Sequence, residues 1–194
     1  PVLIVMEFGP PIEGEERIAE CLGLTAAALR WLREAVVARM NLGMGVLEIL
    51  HDIELPAELF DRPWMKPLYG DPDYIIRDIF RSETGWWDRN PTPLPPSHPD
   101  AAGAAVLSAI ADHDAVLVRA RELAESGETQ LALHVVDVLA LAPGDEAVVV
   151  AARELKAELC RELAKTARSF VSQSLYVSSA RLIEDGTDLK TGLR

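Results

Sequence analysis

A single strand-like segment, followed by a long succession of helix-like segments, limits most strongly how this chain can fold. The strand-like segment is the continuous apolar run Val2–Met6, which is typical of a short strand covered on both faces. From Glu15 onward, apolar residues recur at intervals of three and four, the period of a helix. Because one strand cannot form a sheet, we predict an all-α fold, an antiparallel helical bundle with a short N-terminal strand as a remnant.

Residues that commonly begin and end helices mark the bounds of the predicted elements. Asp71 and Pro72 suit the N-cap and the first position of a helix that extends to Glu83. Asp112 is placed to cap another helix, which ends at Ser126. The remaining predicted helices span residues 15–42, 46–52, 100–111, 129–141, 146–164 and 166–184.

The long first helix is predicted to bury one apolar face. The members of that face recur at helical spacing and are Ile18, Leu22, Ala26, Leu29, Leu32 and Val36. Gly23 and Thr25 interrupt this pattern and mark a candidate break. Before the helix, the residues from Gly9 to Gly14 are rich in glycine and proline and are predicted to form a tight loop.

Residues 113–160 have the pattern of a helical repeat. Small residues allow two antiparallel helices to approach closely, and larger aliphatic residues fill the space between them. The residues concerned are Ala120, Ala132, Leu123, Val136 and Leu139. The unit resembles a tetratricopeptide repeat of about 34 residues. Because single repeats are rarely stable, we expect something else, most simply a partner subunit, to cover its open face.

The charge of the chain argues against two classes of partner. The sequence holds 19 Lys and Arg against 31 Asp and Glu, a formal net charge of −12. Nucleic acids and anionic membranes attract clustered basic residues, so neither is an expected partner. No apolar run approaches the roughly 20 residues that a membrane span needs, so no span is predicted.

Neither the cysteines nor the N-terminus identifies a compartment. Cys21 and Cys160 are too few for a disulfide framework and are predicted to be free thiols in a reducing environment. The apolar start of the chain is too short for a signal peptide and has no basic segment before it. The absence of an initiator Met favours a fragment or a processed chain, so cytoplasmic, periplasmic and secreted locations all stay open.

No complete catalytic apparatus is visible in the sequence. The four histidines do not form the HxH, HExxH or HxxxH spacings that hold metal ions. His113 lies between two aspartates, but this trio opens a predicted helix, where acidic residues favour the positive end of the dipole. There is no GxSxG segment and no glycine-rich phosphate loop. We therefore predict no catalytic residue and no metal ligand in this chain.

Residues 63–96 differ from the rest of the chain, because they are irregular and rich in aromatic residues and proline. Three of the four tryptophans lie here, at Trp64, Trp86 and Trp87. Aromatic side chains with polar groups on loops are typical of interfaces or pocket walls. The alternative is that they fill gaps beneath a long loop.

Several of these segments resemble the signature of one family. The segments Leu68-Tyr69-Gly70, 77–80 and 85–91, the last reading GWWDRNP, are similar in this order to the signature of the alkyl sulfatase dimerisation domain. The loop from Gly9 to Gly14 resembles the connection to the preceding domain in that family, and residues 40–43 resemble its MNxG segment. The resemblance covers about residues 7–184.

Alkyl sulfatases are zinc hydrolases whose catalytic domain has the metallo-β-lactamase fold, and the resemblance implies the helical dimerisation domain of such an enzyme. The HxHxDH motif that binds zinc in that catalytic domain does not occur in this sequence. Phe8 stands where the family has its last histidine ligand, and Arg89 replaces a glycine that is usual in the family. The resemblance implies no cofactor in this chain, and zinc only in a catalytic domain outside it. It also implies a homodimer, with an alkyl sulfate-type ligand only where a catalytic domain is present.

The resemblance assigns expected roles to particular residues. Tyr69 matches the family's tyrosine near the substrate opening, so its phenol is the candidate to donate a hydrogen bond to a sulfate oxygen. The alternative is a buried tyrosine bonded to the backbone. Asp88 and Asn90 are expected to fix their loop through bonds from side chain to backbone. Trp86 and Trp87 are expected to anchor packing or an interface.

These observations predict a remnant strand and joining loop at residues 1–13, a helical dimerisation domain at 14–185 and a loose tail at 186–194. The leading function is a dimerisation module that pairs subunits and helps to wall the pocket of a zinc-dependent sulfate-ester hydrolase. The alternative is a free-standing tetratricopeptide-like domain that binds a protein or small ligand without catalysis. Residual sulfatase activity of the chain itself is a third hypothesis, which the missing ligands disfavour.

Overall fold

The computed structural model describes residues 2–5, 9–85 and 87–186, and the statements on structure below refer to these ranges. Helices make up 69% of the structure, beside one sheet of two short strands, which confirms the predicted all-α fold. A short 3₁₀ helix at Pro63–Met65 lies between α3 and α4. The other elements are β1 Leu3–Ile4, β2 Ile12–Glu13, α1 Glu15–Asn41, α2 Val46–Asp52, α3 Ala57–Phe60, α4 Pro72–Thr84, α5 Pro99–Ser108, α6 His113–Glu125, α7 Thr129–Ala140, α8 Ala147–Thr166 and α9 Phe170–Glu184.

The chain divides into two compact units, Pro1–Asn90 and Pro91–Arg194, here called the N-terminal unit and the C-terminal unit. Each unit has hydrophobic clusters of its own. The sequence analysis did not find this division, because helical periodicity continues on both sides of it. The predicted boundaries after residues 13 and 185 stay predictions, and residues 187–194 of the predicted tail lie outside the described residues.

The N-terminal strand pairs with a second strand that the sequence analysis missed. β1 and β2 are antiparallel, with Ile4 opposite Ile12. The prediction of a loop through residues 9–14 was wrong at β2, because an isolated strand leaves backbone groups unsatisfied and pairs with the nearest extended segment. The prediction of a strand covered on both faces was also wrong, since Leu3 is 49% and Val5 71% exposed.

α1 continues through Gly23 and Thr25 without the candidate break. Its buried residues are Ile18, Cys21, Ala28, Leu32 and Val36. Leu22 and Leu29, which were predicted to belong to the core, are 55% and 44% exposed. The predicted apolar face therefore differs from the buried face. Both sets of residues have helical spacing, so only the elements that pack against α1 decide which set is buried.

α2 and α4 pack against the C-terminal half of α1. The buried members of their shared cluster are Leu32, Val36, Ile49, Ile76 and Phe80. Trp31 and Phe60 meet edge to face beside this cluster, with 5.9 Å between their ring centroids. This core fixes α4 against α1 and thereby positions the loops at both ends of α4.

α6 to α9 form a stack in which each helix packs on the next one along the chain. The residues predicted to form the helical hairpin are confirmed in its core, with Ala120, Ala132 and Val136 fully buried. α8 adds Leu155 and Leu159 to the same cluster. The first part of α8 belongs to the predicted repeat, and α8 covers one side of the hairpin formed by α6 and α7. Val118 and Leu131 of the hairpin remain exposed, so the cover expected from a partner subunit stays a prediction.

Gly103 lets α5 approach the end of α7 closely. A Cβ atom at this position would lie 2.7 Å from the carbonyl oxygen of Leu141 and 3.2 Å from the Cα atom of Ala142. Atoms do not pack at such distances in protein interiors. Packing therefore requires this glycine, although glycine lowers the helix propensity of α5.

Ser169 and an ion pair organise the junction of α8 and α9. Ser169 is buried, and its hydroxyl oxygen accepts the amide of Ser172 at 3.1 Å, which caps α9. Arg161 donates two hydrogen bonds to the carboxylate of Glu184, at 2.9 and 2.5 Å, and so joins the two helices. This pairing lowers the pKa of Glu184 and raises the pKa of Arg161.

A half-buried ion pair and a buried thiol lie between α7 and α8. The ammonium of Lys156 is 2.7 Å from a carboxylate oxygen of Asp137. Cys160 packs against Ala157 and Ala180, and burial raises the pKa of its thiol. The thiolate form of Cys160 is therefore scarce in the folded protein.

In the part of the chain that the structure describes, no single helix has both the length and the apolar character needed to cross a membrane. α5 and α6 meet those criteria only when taken together, and they are bent by 99° relative to each other.

Candidate functional site

The signature segments form two loops on either side of α4 in the N-terminal unit. Residues 66–71, here called the tyrosine loop, precede α4. Gly85 and residues 87–90, here called the tryptophan loop, follow it. α4 has 13 residues, which corresponds to a length of about 20 Å. The structure therefore places Tyr69 and Trp87 beside opposite ends of one helix rather than together in one cluster.

The tyrosine loop is fixed by a buried cap and presents its tyrosine to solvent. Asp71 is 3% exposed, and its carboxylate accepts the amide of Asp73 at 3.0 Å, so the predicted N-cap is confirmed. The amide of Leu68 donates to the carbonyl of Lys66 at 2.9 Å. Tyr69 is 47% exposed, so it is not the buried tyrosine of the alternative interpretation. Tyr69 therefore lies at the surface of the N-terminal unit, next to the capped start of α4.

The tryptophan loop is held together by hydrogen bonds within itself. The carboxylate of Asp88 accepts the amide of Asn90 at 2.9 Å, which forms a turn closed by a side chain. The indole N–H of Trp87 donates to the carbonyl oxygen of Asn90 at 3.3 Å, while the side chain remains 43% exposed. Trp86, the other expected anchor, lies outside the described residues.

Arg89 has a backbone conformation that usually requires glycine. Its φ of 75° is the one positive value found at a residue other than glycine within the described ranges. Glycine adopts this conformation at little cost, which gives a physical reason for the glycine that the resemblance implies at this position. Arginine adopts it at a cost, but its side chain makes a contact that glycine cannot make.

That contact joins the tryptophan loop to the end of α1. The guanidinium of Arg89 donates to the carbonyl oxygen of Gly43 at 2.6 Å. Gly43, with a φ of 87°, ends α1 in a Schellman motif, in which the amide of Met44 bonds to Arg39 and the amide of Gly43 to Met40. Two segments that the sequence analysis associated only by resemblance are thus connected directly.

The sequence analysis counted Arg89 only as a departure from the family and missed this role. Arg89 and Gly43 are separated by 46 positions, so no local pattern links them. Two signals were available in the sequence. Arg89 stands at a position where the resemblance implies glycine, and residues 40–43 resemble a second segment of the same family.

Metal ligation is not offered by the residues that the structure describes. No three His, Cys, Asp or Glu side chains within residues 2–5, 9–85 and 87–186 lie close enough together to hold a metal ion. Zinc sites need three or four such ligands, so no step of zinc chemistry is assigned to these residues. Phe8, which the resemblance aligns with a histidine ligand, lies outside the described residues.

A cleft of about 870 Å³ lies in the C-terminal unit, among the loop after α7 and the helices α8 and α9. Its two arginines are engaged in structural contacts. Arg153 donates to the carbonyl oxygens of Ala140 and Ala142, at 3.2 and 2.7 Å, and so closes the end of α7. Arg161 pairs with Glu184 across the two helices. Both arginines of the cleft are thus engaged within the chain.

The fold and the two loops define an all-helical module that displays aromatic side chains on irregular segments. The chain belongs to the alkyl sulfatase dimerisation family, whose sequence model matches residues 46–186. The resemblance of the signature segments to that family is thereby confirmed.

Curated and solved relatives of this chain are alkylsulfatases. A linear primary-alkylsulfatase of Pseudomonas sp. is 25% identical over 183 residues, which are 94% of this chain and 34% of that protein. The alkyl/aryl-sulfatase BDS1 of Saccharomyces cerevisiae is 25% identical over 184 residues, 95% of this chain and 28% of that protein. The stereoselective inverting sec-alkylsulfatase Pisa1 from Pseudomonas sp. has a TM-score of 0.83 at 25% identity, over 96% of this chain and 29% of that one. The chain thus spans about a third of the length of the relatives that it matches.

Proposed function

We propose that this chain pairs with a second copy of itself and acts as the dimerisation module of a sulfate-ester hydrolase. The observation that carries the proposal is the match to the alkyl sulfatase dimerisation family over residues 46–186. The relatives that cover nearly all of the chain are sulfatases, which supports the class of enzyme that the module serves. We propose residues 14–185 as the module and residues 1–13 as the connection that precedes it.

The proposal assigns bond-breaking to a catalytic domain outside this chain. The relatives share only 34% and 28% of their length with this chain, so the remaining two thirds or more is room for such a domain. The proposal includes a second copy of the chain as partner. It places zinc in the catalytic domain and expects an alkyl sulfate-type ligand only where that domain is present. In it, the module supplies the contact between subunits and one wall of the substrate pocket.

The first experiment is a measurement of molar mass in solution. Sedimentation equilibrium of the purified chain is expected to give twice its mass of 21.2 kDa. A mass of one chain across the full concentration range would contradict the proposal and would support the tetratricopeptide-like binding domain instead. The family match does not favour that alternative.

We propose that Tyr69 faces the alkyl sulfate pocket of such an enzyme. Support comes from its place in the Leu68-Tyr69-Gly70 segment and from the 47% exposure of the residue, beside the capped start of α4. A phenol can donate a hydrogen bond to a sulfate oxygen, whereas phenylalanine of the same shape cannot. The neighbouring carboxylate of Asp71 is committed to capping α4 and is not part of this role.

A chimaera separates this role from a structural one. Residues 9–186 would replace the matching segment of the Pseudomonas linear primary-alkylsulfatase, with and without Tyr69→Phe. Sulfate release from dodecyl sulfate is expected to fall about tenfold, corresponding to the loss of one hydrogen bond, while dimer mass and unfolding midpoint stay unchanged. Unchanged turnover in a folded dimer would remove Tyr69 from the pocket.

A further inference from the structure

A second apolar stripe runs along the exposed side of α1, next to the buried face of the helix. Its members are Glu15, Ala19, Leu22, Ala26, Leu29 and Arg33, here called the α1 stripe. Leu22 and Leu29 are 55% and 44% exposed, and Ala19 is exposed as well. The apolar part of the stripe extends over about 15 Å of the helix. A leucine pair at helical spacing on an otherwise charged surface is a candidate contact for another helix.

The intervals within the α1 stripe read the same from either end. Successive members are four, three, four, three and four positions apart, which is the spacing of the core positions of a coiled coil. We consider two antiparallel copies of α1 with a two-fold axis between them at the level of Leu24. In this arrangement each member of one stripe faces a member of the other stripe. The facing pairs are Glu15 with Arg33, Ala19 with Leu29, and Leu22 with Ala26. Each large side chain meets a small one, and each acid meets a base.

The solvent side of the α1 stripe shows the same complementarity. Glu16, Gly23 and Arg30 are exposed and lie seven positions apart, in the row that borders the stripe. In an antiparallel pair this row faces its own copy, so Glu16 meets Arg30 and Gly23 lies beside the axis. The row on the other side, which contains Ile18 and Leu32, is buried in the core of the N-terminal unit.

Gly23 is a second observation that points to a neighbouring helix. Glycine lowers helix propensity, yet it stands in the interior of α1. A Cβ atom built at this position meets nothing within 4 Å. Packing within the chain therefore does not require glycine here, in contrast to Gly103. A second α1 crossing at the axis gives a reason for the missing side chain.

We propose that two copies of this chain associate through antiparallel pairing of their α1 helices along the α1 stripe. The inference rests on the proposed self-association and locates its contact surface, before the residues that the family model matches. Self-complementarity in size and charge is the property that selects a second copy as the occupant, because a different partner has no need of it. Such a contact is isologous and closes after two copies. Arg33 already pairs with Glu83 in its own unit at 2.5 Å, so the leucines contribute more than the outer charges.

The main test is the double variant Leu22→Glu/Leu29→Glu, with Leu47→Glu/Leu175→Glu as the matched control. Leu47 and Leu175 are each 61% exposed, and both variants add the same two negative charges. Sedimentation velocity is expected to show a dissociation constant raised about a hundredfold or more in the first variant, since it places charges at the centre of the contact. The control is expected to remain as dimeric as the parent chain.

Charge reversal at Glu16 and Arg30 tests the antiparallel register and leaves the apolar residues of the stripe unchanged. Glu16→Arg and Arg30→Glu are each expected to raise the dissociation constant about fivefold, and the combination to restore it. The two residues are 14 positions apart, about 21 Å along one helix, so they cannot compensate within one chain. Restoration therefore reports contact between copies, and it also decides the case if the leucine variant fails to fold.

The outcomes separate this inference from the proposed function. A parent chain that is monomeric overturns the proposed self-association itself. A dimeric parent whose Leu22→Glu/Leu29→Glu variant stays as dimeric as the control overturns the α1 contact and leaves the proposed function standing. Failure of the combined charge reversal to restore association overturns the antiparallel register.

Discussion

The two units of this chain reach stability in different ways. In the C-terminal unit, α6 to α9 follow one another through short turns, and each helix packs on its neighbour in sequence. In the N-terminal unit, one long helix supports short helices, and the tryptophan loop returns to the end of that helix from a distant position in the sequence. The regular unit buries Ala120, Ala132 and Val136 between its helices, and it exposes single apolar residues such as Val118 and Leu131. The irregular unit exposes aromatic side chains on its loops and the α1 stripe on its long helix, which are the surfaces proposed for binding.

The largest expected effect is the loss of stability when a core leucine of either unit is truncated. Leu32→Ala and Leu139→Ala each empty a fully buried site and are expected to lower the free energy of unfolding by about 2–5 kcal/mol. Each unit holds one buried cysteine, Cys21 or Cys160, which reports local opening through its rate of thiol modification. We expect Leu32→Ala to accelerate modification of Cys21 more than that of Cys160, and Leu139→Ala to do the reverse. Leu131→Ala, at an exposed position of α7, is the control.

Equal acceleration of both cysteines in either core variant would show that the two units open together. The comparison between a regular and an irregular unit would then describe one folding unit rather than two. Mass spectrometry after timed thiol labelling distinguishes the two results, since it locates the modified cysteine.

The next effect concerns close packing in the C-terminal unit. Gly103→Ala adds one carbon atom that meets backbone atoms of Leu141 and Ala142, so we expect a loss of about 1–3 kcal/mol in the free energy of unfolding. Ala104→Ser adds one atom to an exposed position of the same helix and serves as the control. Chemical denaturation measures both. A Gly103→Ala variant as stable as the control would mean that α5 does not pack closely on the end of α7.

A smaller effect concerns the tryptophan loop. Arg89→Ala removes the hydrogen bond to Gly43 but keeps the unfavourable φ, so we expect a loss of about 1 kcal/mol. Arg89→Gly also loses the bond but adopts the backbone conformation freely, so it is expected to be more stable than Arg89→Ala. Thermal unfolding of both variants gives the order, and the reverse order would contradict the assigned strain.

The smallest effect concerns the ion pair between α8 and α9. Pairing with Arg161 lowers the pKa of Glu184, so the ionised carboxylate is favoured in the folded state. Its contribution to stability is present above the ordinary carboxyl pKa and is lost as the pH falls through the lowered value. Glu184→Gln is therefore expected to reduce stability slightly at neutral pH and not at all in strong acid. Added salt should diminish the difference, because the pair is exposed.

Glu158→Gln on the exposed side of α8 is the control for this pH profile. A difference between Glu184→Gln and the parent chain that persists in strong acid would show that packing, rather than charge, joins the two helices at this point.

Local patterns predicted the elements that depend on local contacts. The helix from Pro72 begins with the predicted cap at Asp71, and the predicted bounds of α6 and α7 agree with the structure within a residue or two. In these helices, capping residues and apolar spacing decide the outcome, and both can be read from neighbouring positions.

Elements that depend on distant contacts could not be predicted in the same way. The pairing of β1 with β2, the face of α1 that is buried and the bond from Arg89 to Gly43 all depend on which segments meet in three dimensions. For α1, the predicted apolar face combined residues that are buried in the structure, such as Leu32, with residues that are exposed, such as Leu22 and Leu29. The separation of these two sets in the structure is what revealed the α1 stripe.

The central claim is that this chain pairs with its own copy, and mixing two charge variants tests it most directly. Glu16→Arg and Arg30→Glu each place like charges opposite one another in a homodimer, whereas one chain of each places opposite charges together. Native mass spectrometry of an equimolar mixture is expected to show heterodimers, at twice the 21.2 kDa of one chain, well above the half of all dimers that random pairing gives. Monomers throughout would contradict self-association, and a statistical mixture of the three dimers would contradict the antiparallel contact.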